Sequence, residues 1–238
     1  MDASLSVLSH ADGSCEIWEK GRGRILCGVT GPGDVSSSRR IFDRANVFFN
    51  INRLTIKNRE EIVATVRVPS SVSFASSSSS PPSQPFDHFL RSVIEGAIDL
   101  SAYPRSCIQI CTQELEMDGP GDAFQLNGLC LALIDAGIRM RHIFAAVTVG
   151  LSCDDSQQKI VVEPTRTQAD ASSAIFTFVF KPSLVLAGKL IGAHTTGQFT
   201  IDEYKKAVEL AERHCFSIFD FYRRKTHEKF VYYWRTMP

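Results

Sequence analysis

The 238 residues carry no excess charge of either sign, since 26 lysines and arginines balance 26 aspartates and glutamates. That balance excludes a protein that binds nucleic acid through a uniform positive field, and leaves local basic patches as the route to such a partner. Long apolar runs are also lacking: none spans a bilayer, so no membrane partner is expected. Met1-Asp2-Ala3-Ser4 does not read as the start of a secretory leader. The seven cysteines (15, 27, 107, 111, 130, 153 and 215) contain no CxxC pair, and most lie inside apolar runs. Their odd number and their setting predict buried free thiols in a reducing intracellular compartment. Cys107 and Cys111 are spaced to share one face of a strand, but no histidine or cysteine partners accompany them, so no metal site is expected. The six histidines form no HxxxH or HExxH pattern, and no GxSxG elbow is present.

What the chain does have is a long alternation of strand and helix signals, and 44% apolar residues to bury beneath them. Ser14 to Glu19 (SCEIWE) and Arg24 to Thr30 (RILCGVT), joined by Lys20-Gly21-Arg22-Gly23, predict a hairpin. Ala45 to Ile51 is a third strand candidate. Phe86 to Leu100 places apolar residues at 86, 89, 90, 93, 94, 97 and 98, one face of a helix. Ser106 to Met117 alternates like a half-buried strand. The next segment is apolar on nearly every side, with Asp122 as its N-cap and Gly137 past its end, and predicts a helix buried between layers. Strands at 142 to 151, 159 to 162, 173 to 181 and 184 to 193 follow, with turns at Asp154-Asp155 and Lys181-Pro182-Ser183. Thr200 caps a final helix from about Asp202 to beyond Phe230. Pro69 to Pro85 (PSSVSFASSSSSPPSQP) has the bias of a flexible insertion that does not separate two cores. The sum is one α+β domain over residues 5 to 235, with helices against mixed sheets and a buried central helix.

Three stretches could carry chemistry. Met117 to Gly137 (MDGPGDAFQLNGLCLALIDAG) runs from a glycine-rich turn into a helix, the shape of a phosphate cradle. Yet Gly119, Gly121 and Gly128 make neither GxGxxG nor a P-loop, and the turn's only charges are Asp118 and Asp122. The glycines are better explained as a sharp turn from a strand into a buried helix. Glu163 and Asp170 could hold a metal ion or act as acid and base, although they stand seven positions apart in what reads as irregular loop. Basic residues cluster loosely: Arg22 with Arg24, Arg39 with Arg40, Arg53 with Lys57 and Arg59, and five between Arg223 and Arg235. Phe216 to Trp234 holds more aromatics than one helix face buries, which suits a surface that docks a partner.

The succession LSHADGS (8 to 14), GRGRILCGVTGP (21 to 32), AYPRSCIQI (102 to 110), ALIDAG (132 to 137) and IVVEPT (160 to 165) resembles the RNase PH-like subunits of the eukaryotic RNA exosome. The resemblance covers about Val7 to Arg224, excepting the Ser/Pro stretch. It implies an RNase PH fold, related to the second domain of ribosomal protein S5. Active relatives cleave RNA from the 3′ end with inorganic phosphate as nucleophile, held by the Thr and Arg of a DGGTRT turn. Here that Arg falls on Asp122, the Thr before it on Gly121 and the Thr after it on Ala123. Arginines of the preceding helix fall on Ser92 and Glu95, beside Arg91, and two supporting aspartates on Ala169, beside Asp170, and on Ile175.

These replacements imply a non-catalytic ring subunit with no catalytic residues, metal or cofactor of its own. The resemblance implies partners: other RNase PH-like subunits in a six-membered ring, S1- and KH-domain cap proteins, RNA threaded through the pore and a separate exoribonuclease. It implies residence in nucleus, nucleolus and cytoplasm. Arg53, Lys57 and Arg59 are the expected RNA contacts, because the family's loop after this strand faces the pore. Two alternatives stay open: an active phosphate- or metal-dependent 3′–5′ exoribonuclease using Arg91, Asp170 and Glu163, and a small-molecule enzyme with a nucleotide in the glycine turn.

Overall fold

The computed structural model describes residues 1–36, 39–53, 85–152, 160–183 and 188–236. Strands β1 (Asp2–Leu5), β2 (Gly13–Glu19), β3 (Gly23–Asp34), β4 (Asn46–Asn52) and β5 (Ser106–Met117) form a sheet ordered β1-β2-β3-β5-β4. All neighbours are antiparallel except β4, which runs parallel to β5. A second, antiparallel sheet is ordered β7-β6-β8-β9, from β6 (Ala145–Ser152), β7 (Ile160–Val162), β8 (Ser172–Lys181) and β9 (Lys189–Gly197). The helices are α1 (Pro85–Ala97), α2 (Asp122–Asp135), the short α3 (Arg166–Asp170) and α4 (Ile201–Thr236), with a 3₁₀ turn at Leu100–Ala102. An α+β fold with helices against two sheets and a buried central helix is therefore what the chain adopts.

Helix α2 is the keel. Ten of its residues are buried, because it packs on β2 and β3 with one side and on β6 with another. A polar residue can lie so deep only if its hydrogen bonds are met. Asn127 meets them with three bonds: its Nδ2 donates to the Ala146 carbonyl at 2.9 Å, its Oδ1 accepts from the Ala146 N–H at 2.8 Å, and Oδ1 accepts again from the Tyr222 hydroxyl of α4 at 2.9 Å. Gln125 Nε2 donates to Thr112 Oγ1 of β5 at 2.6 Å. The helix ends as predicted. Gly137, at φ 66°, donates to the Ile134 carbonyl and Ile138 to that of Leu133, the paired bonds of a Schellman closure. The buried Asp135 accepts from the Ser14 N–H and from Lys229 of α4, which joins the LSHADGS and ALIDAG segments to the last helix.

Helix α4 opens with a reciprocal cap: Glu203 N–H donates to Thr200 Oγ1 at 3.4 Å, and Thr200 N–H donates to the Glu203 carboxylate at 2.6 Å. Its inner face buries Ala207, Ala211, Cys215, Ile218, Phe219, Phe221 and Tyr222, while Phe216, Phe230, Tyr232 and Trp234 are exposed. The aromatic surplus divides along the helix in this way. Thiols behave similarly: Cys15, Cys27, Cys130 and Cys215 are buried and free, whereas Cys107 is half-exposed and Cys111 exposed. Burial pushes the Cys130 and Cys215 thiols up to about 12, far from nucleophilic use.

Some expected boundaries move. The strand expected at 184 to 193 is β9, beginning at Lys189, and β1 joins the first sheet although no strand was expected there. The segment after Thr165 is not irregular loop, because Thr165 and Gln168 close a capping box that starts α3. The Asp154-Asp155 turn, Cys153 and nearly all of the Ser/Pro stretch lie outside the described residues. No helix among the described residues is long and apolar enough to cross a membrane.

Candidate functional site

The glycine-rich turn does enter α2 as a cradle. Gly119 takes φ 116°, and a Cβ there would come within 2.7 Å of the Pro164 carbonyl, so only glycine lets the turn lie against the segment after β7. The N-cap, however, is Gly121 and not Asp122, and no side chain caps this end. Asp122 occupies the first helical position and turns elsewhere. Its carboxylate faces Arg53 of the stretch after β4, Nη1 to Oδ1 at 3.5 Å, while Arg53 Nη2 donates to Asp87 Oδ1 of α1 at 3.1 Å. The guanidinium also lies 4.9 Å from the centre of the Phe86 ring. Arg53 and Asp122 side chains are each only 21% exposed.

Removal from water costs a carboxylate more than one long ion pair returns, so burial raises the Asp122 pKa to about 6; Arg53 opposes the shift and Asp87 adds to it. Burial and Arg53 together hold His194 of β9 below its ordinary value. The site is thus an internally compensated acid-base-acid set at the mouth of the cradle. An incoming phosphate would meet one guanidinium already shared by two carboxylates.

The small neighbouring cleft is closed in the same manner. Arg22, Met117, Asp118, Pro120, Phe124, Glu163 and Pro164 are among its lining residues. Arg22 donates to both the carboxylate and the backbone carbonyl of Glu163, and at 3.0 Å to Glu19. Glu163 sits at φ 53°, held by its N–H to the Thr148 carbonyl at 2.7 Å.

The structure therefore disperses the residues grouped as an alternative catalytic set. Glu163 is engaged by Arg22, Asp170 lies exposed at the end of α3, and Arg91 stacks over Phe49 of β4 at 5.2 Å. Among the described residues no three His, Cys, Asp or Glu side chains are placed to hold a metal. Of the expected RNA contacts, Arg53 is drawn into the ion pairs above, while Lys57 and Arg59 lie outside the described residues. Asp87 and His194 carried no sequence signal for this site, since spacing alone does not place a helix start and a distant strand beside residue 53.

Residues 1–139 match the model of the 3′ exoribonuclease family, domain 1. The chain belongs to this RNase PH family. Relatives of this RNase PH member include the exosome complex component rrp46 of Schizosaccharomyces pombe, 30% identical over 212 residues, covering 89% of this chain and 82% of that protein. RRP46 of Saccharomyces cerevisiae is 26% identical over 226 residues, covering 90% of each. Rrp41 of Archaeoglobus fulgidus is 27% identical over 233 residues, 95% of this chain and 81% of the relative. In three dimensions the fold is similar to that of rice (Oryza sativa) Rrp46, with TM-score 0.71 and 19% identity over 93% of this chain and 92% of that one. The resemblance read from the ordered motifs is thus to the right branch of RNase PH proteins.

Proposed function

We propose that the chain is a non-catalytic subunit of an exosome-type ring that passes RNA to a separate 3′–5′ exoribonuclease. Its partners on this reading are other RNase PH-like subunits and S1- and KH-domain cap proteins, in nucleus, nucleolus and cytoplasm. Relatives named as exosome complex components, matched over most of their length, support the assembly.

One observation carries the loss of chemistry. Where active relatives are expected to present an arginine to phosphate, this chain presents Asp122, paired to Arg53. Opposite charges about 4 Å apart are worth roughly 4 kcal/mol near a protein surface, so losing the arginine alone forfeits about that much anion binding, and a carboxylate in its place uses up the charge of Arg53. The glycine-rich backbone offers no second cation to offset it. Lys57 and Arg59 remain the proposed RNA contacts, while Arg53 is held to α1 and α2.

The test is an RNA substrate with inorganic phosphate, assayed for nucleoside diphosphates beside an Asp122→Arg variant and a phosphate-free control. The expected outcome is no phosphate-dependent release by the natural chain. Release by that chain would overturn the non-catalytic reading. Affinity purification should recover RNase PH-like companions, and recovery of the chain alone would count against the ring.

A further inference from the structure

At the end of the fold away from the degenerate cradle, three segments distant in sequence are stitched into one surface. The stretch before β4 accepts from the start of β5, Arg105 N–H to the Ile41 carbonyl at 3.0 Å, and donates to the 3₁₀ turn, Ala45 N–H to the Leu100 carbonyl at 2.9 Å. The connection after α2 joins the same turn: Asp99 N–H donates to the Arg139 carbonyl at 2.9 Å, and Arg139 N–H to the Tyr103 hydroxyl at 3.0 Å. The whole length of β5 runs between the Arg105 end of this surface and the glycine turn.

The charge here departs from the neutrality of the chain. Arg39, Arg40, Arg44, Arg105, Arg139 and Arg141 are all exposed, against three aspartates at 34, 43 and 99. Two of the arginines share one carboxylate: Asp99 lies 3.2 Å from Arg139 and 3.8 Å from Arg141, and their side chains stay 71% and 57% exposed. The local field is also felt by His142, held below its ordinary value first by burial and then by Lys181 and Arg141. Beside these cations stands Phe42, 74% exposed, with the Arg105 guanidinium over its ring at 5.6 Å. An exposed ring beside arginines is the combination that stacks a base while neutralising the adjoining phosphates. Six arginines against three aspartates leave the net positive field that a phosphate backbone needs.

We propose that this arginine-rich surface, centred on Phe42, Arg105, Arg139 and Arg141, is a binding site for single-stranded RNA. It uses none of the residues after β4, and it is read on the purified chain, so it does not depend on ring membership. Bases stack on Phe42, and the guanidiniums of Arg105, Arg139 and Arg141 take successive phosphates.

The probe is a fluorescent single-stranded oligouridylate of about 12 nucleotides, titrated into the full chain at several salt concentrations. Every phosphate that an arginine no longer neutralises takes about 0.7 from the slope of log affinity against log salt. Arg105→Gln, Arg139→Gln and Arg141→Gln combined should therefore shallow the slope by about 2. Phe42→Ala should weaken binding roughly fivefold or more and leave the slope unchanged. Arg223→Gln on α4 should alter neither. All these side chains are exposed, so melting curves should coincide, and the single variants replace the triple one if it does not fold. Equal affinity and slope for the natural chain and the arginine variants would overturn the proposal. So would equal competition by polyglutamate and by RNA of matched charge, an outcome that assigns the surface to an acidic protein partner.

Discussion

At the scale of single residues, Asp122 decides the character of the site. Its proton equilibrium exposes the cost of its position. The pKa is raised to about 6 in the fold against an ordinary 3.8, so the folded state holds the proton more tightly than the unfolded chain does. Stability from this residue is complete below about pH 4, declines as pH rises towards 6, and stays lowered above that. A shift of about two units corresponds to roughly 3 kcal/mol. Asp122→Asn keeps the shape and removes the titration, and Arg53 keeps Asp87 as partner. The variant should therefore be more stable than the natural chain by about 1 to 3 kcal/mol at pH 7.5, with the advantage vanishing towards pH 4. Denaturant titrations across that range decide it. An advantage that instead grows on acidification would mean that the ionised carboxylate stabilises the fold.

At the scale of elements, Gly128 shows how closely α2 is seated. It lies in mid-helix, where glycine costs about 1 kcal/mol relative to alanine. A Cβ there would stand 2.9 Å from Cys27 Sγ of β3 and 3.0 Å from Ile17 Cγ2 of β2. Overpacking of this kind costs about 1 to 3 kcal/mol, which meets or exceeds the gain in helix propensity. Gly128→Ala should thus lower the denaturant midpoint, and the loss should shrink in a Cys27→Ala background. A penalty indifferent to residue 27 would show that the contact is not the cause.

The same elements show what a sequence discloses. The range of β5, the Thr200 cap of α4 and the Gly137 stop of α2 were legible because alternation, a capping side chain and a left-handed glycine act within a few residues. Four-residue β1 and five-residue α3 are too short to show a period, and β1 is defined by its pairing with β2. The parallel pairing of β4 with β5 was hidden for a related reason, since it joins stretches about sixty residues apart in the chain. Asp122 read as a cap from its neighbours. What redirected it was Arg53, 69 positions earlier, and its second partner Asp87.

At the scale of the whole molecule, buried residues of both sheets, α1, α2 and α4 form one continuous hydrophobic cluster. We propose that they unfold as one unit. Asn127 supplies the means to test it, because the next residue is Gly128, and an Asn-Gly peptide is chemically fragile: the glycine nitrogen attacks the side-chain amide, ammonia leaves, and hydrolysis yields aspartate or its isomer. Inside α2 that attack is blocked, since the amide is held by Ala146 and Tyr222 and the backbone is helical. Deamidation at 127, followed by peptide mass analysis, should therefore rise in step with the globally unfolded fraction. Deamidation well below the melting transition would instead reveal a partial opening of α2. The lesion is one-way. An aspartate at 127 has no donor for the Ala146 carbonyl, so each episode of unfolding leaves a fraction of molecules unable to rebuild their centre, and the age of a preparation is written into a single side chain.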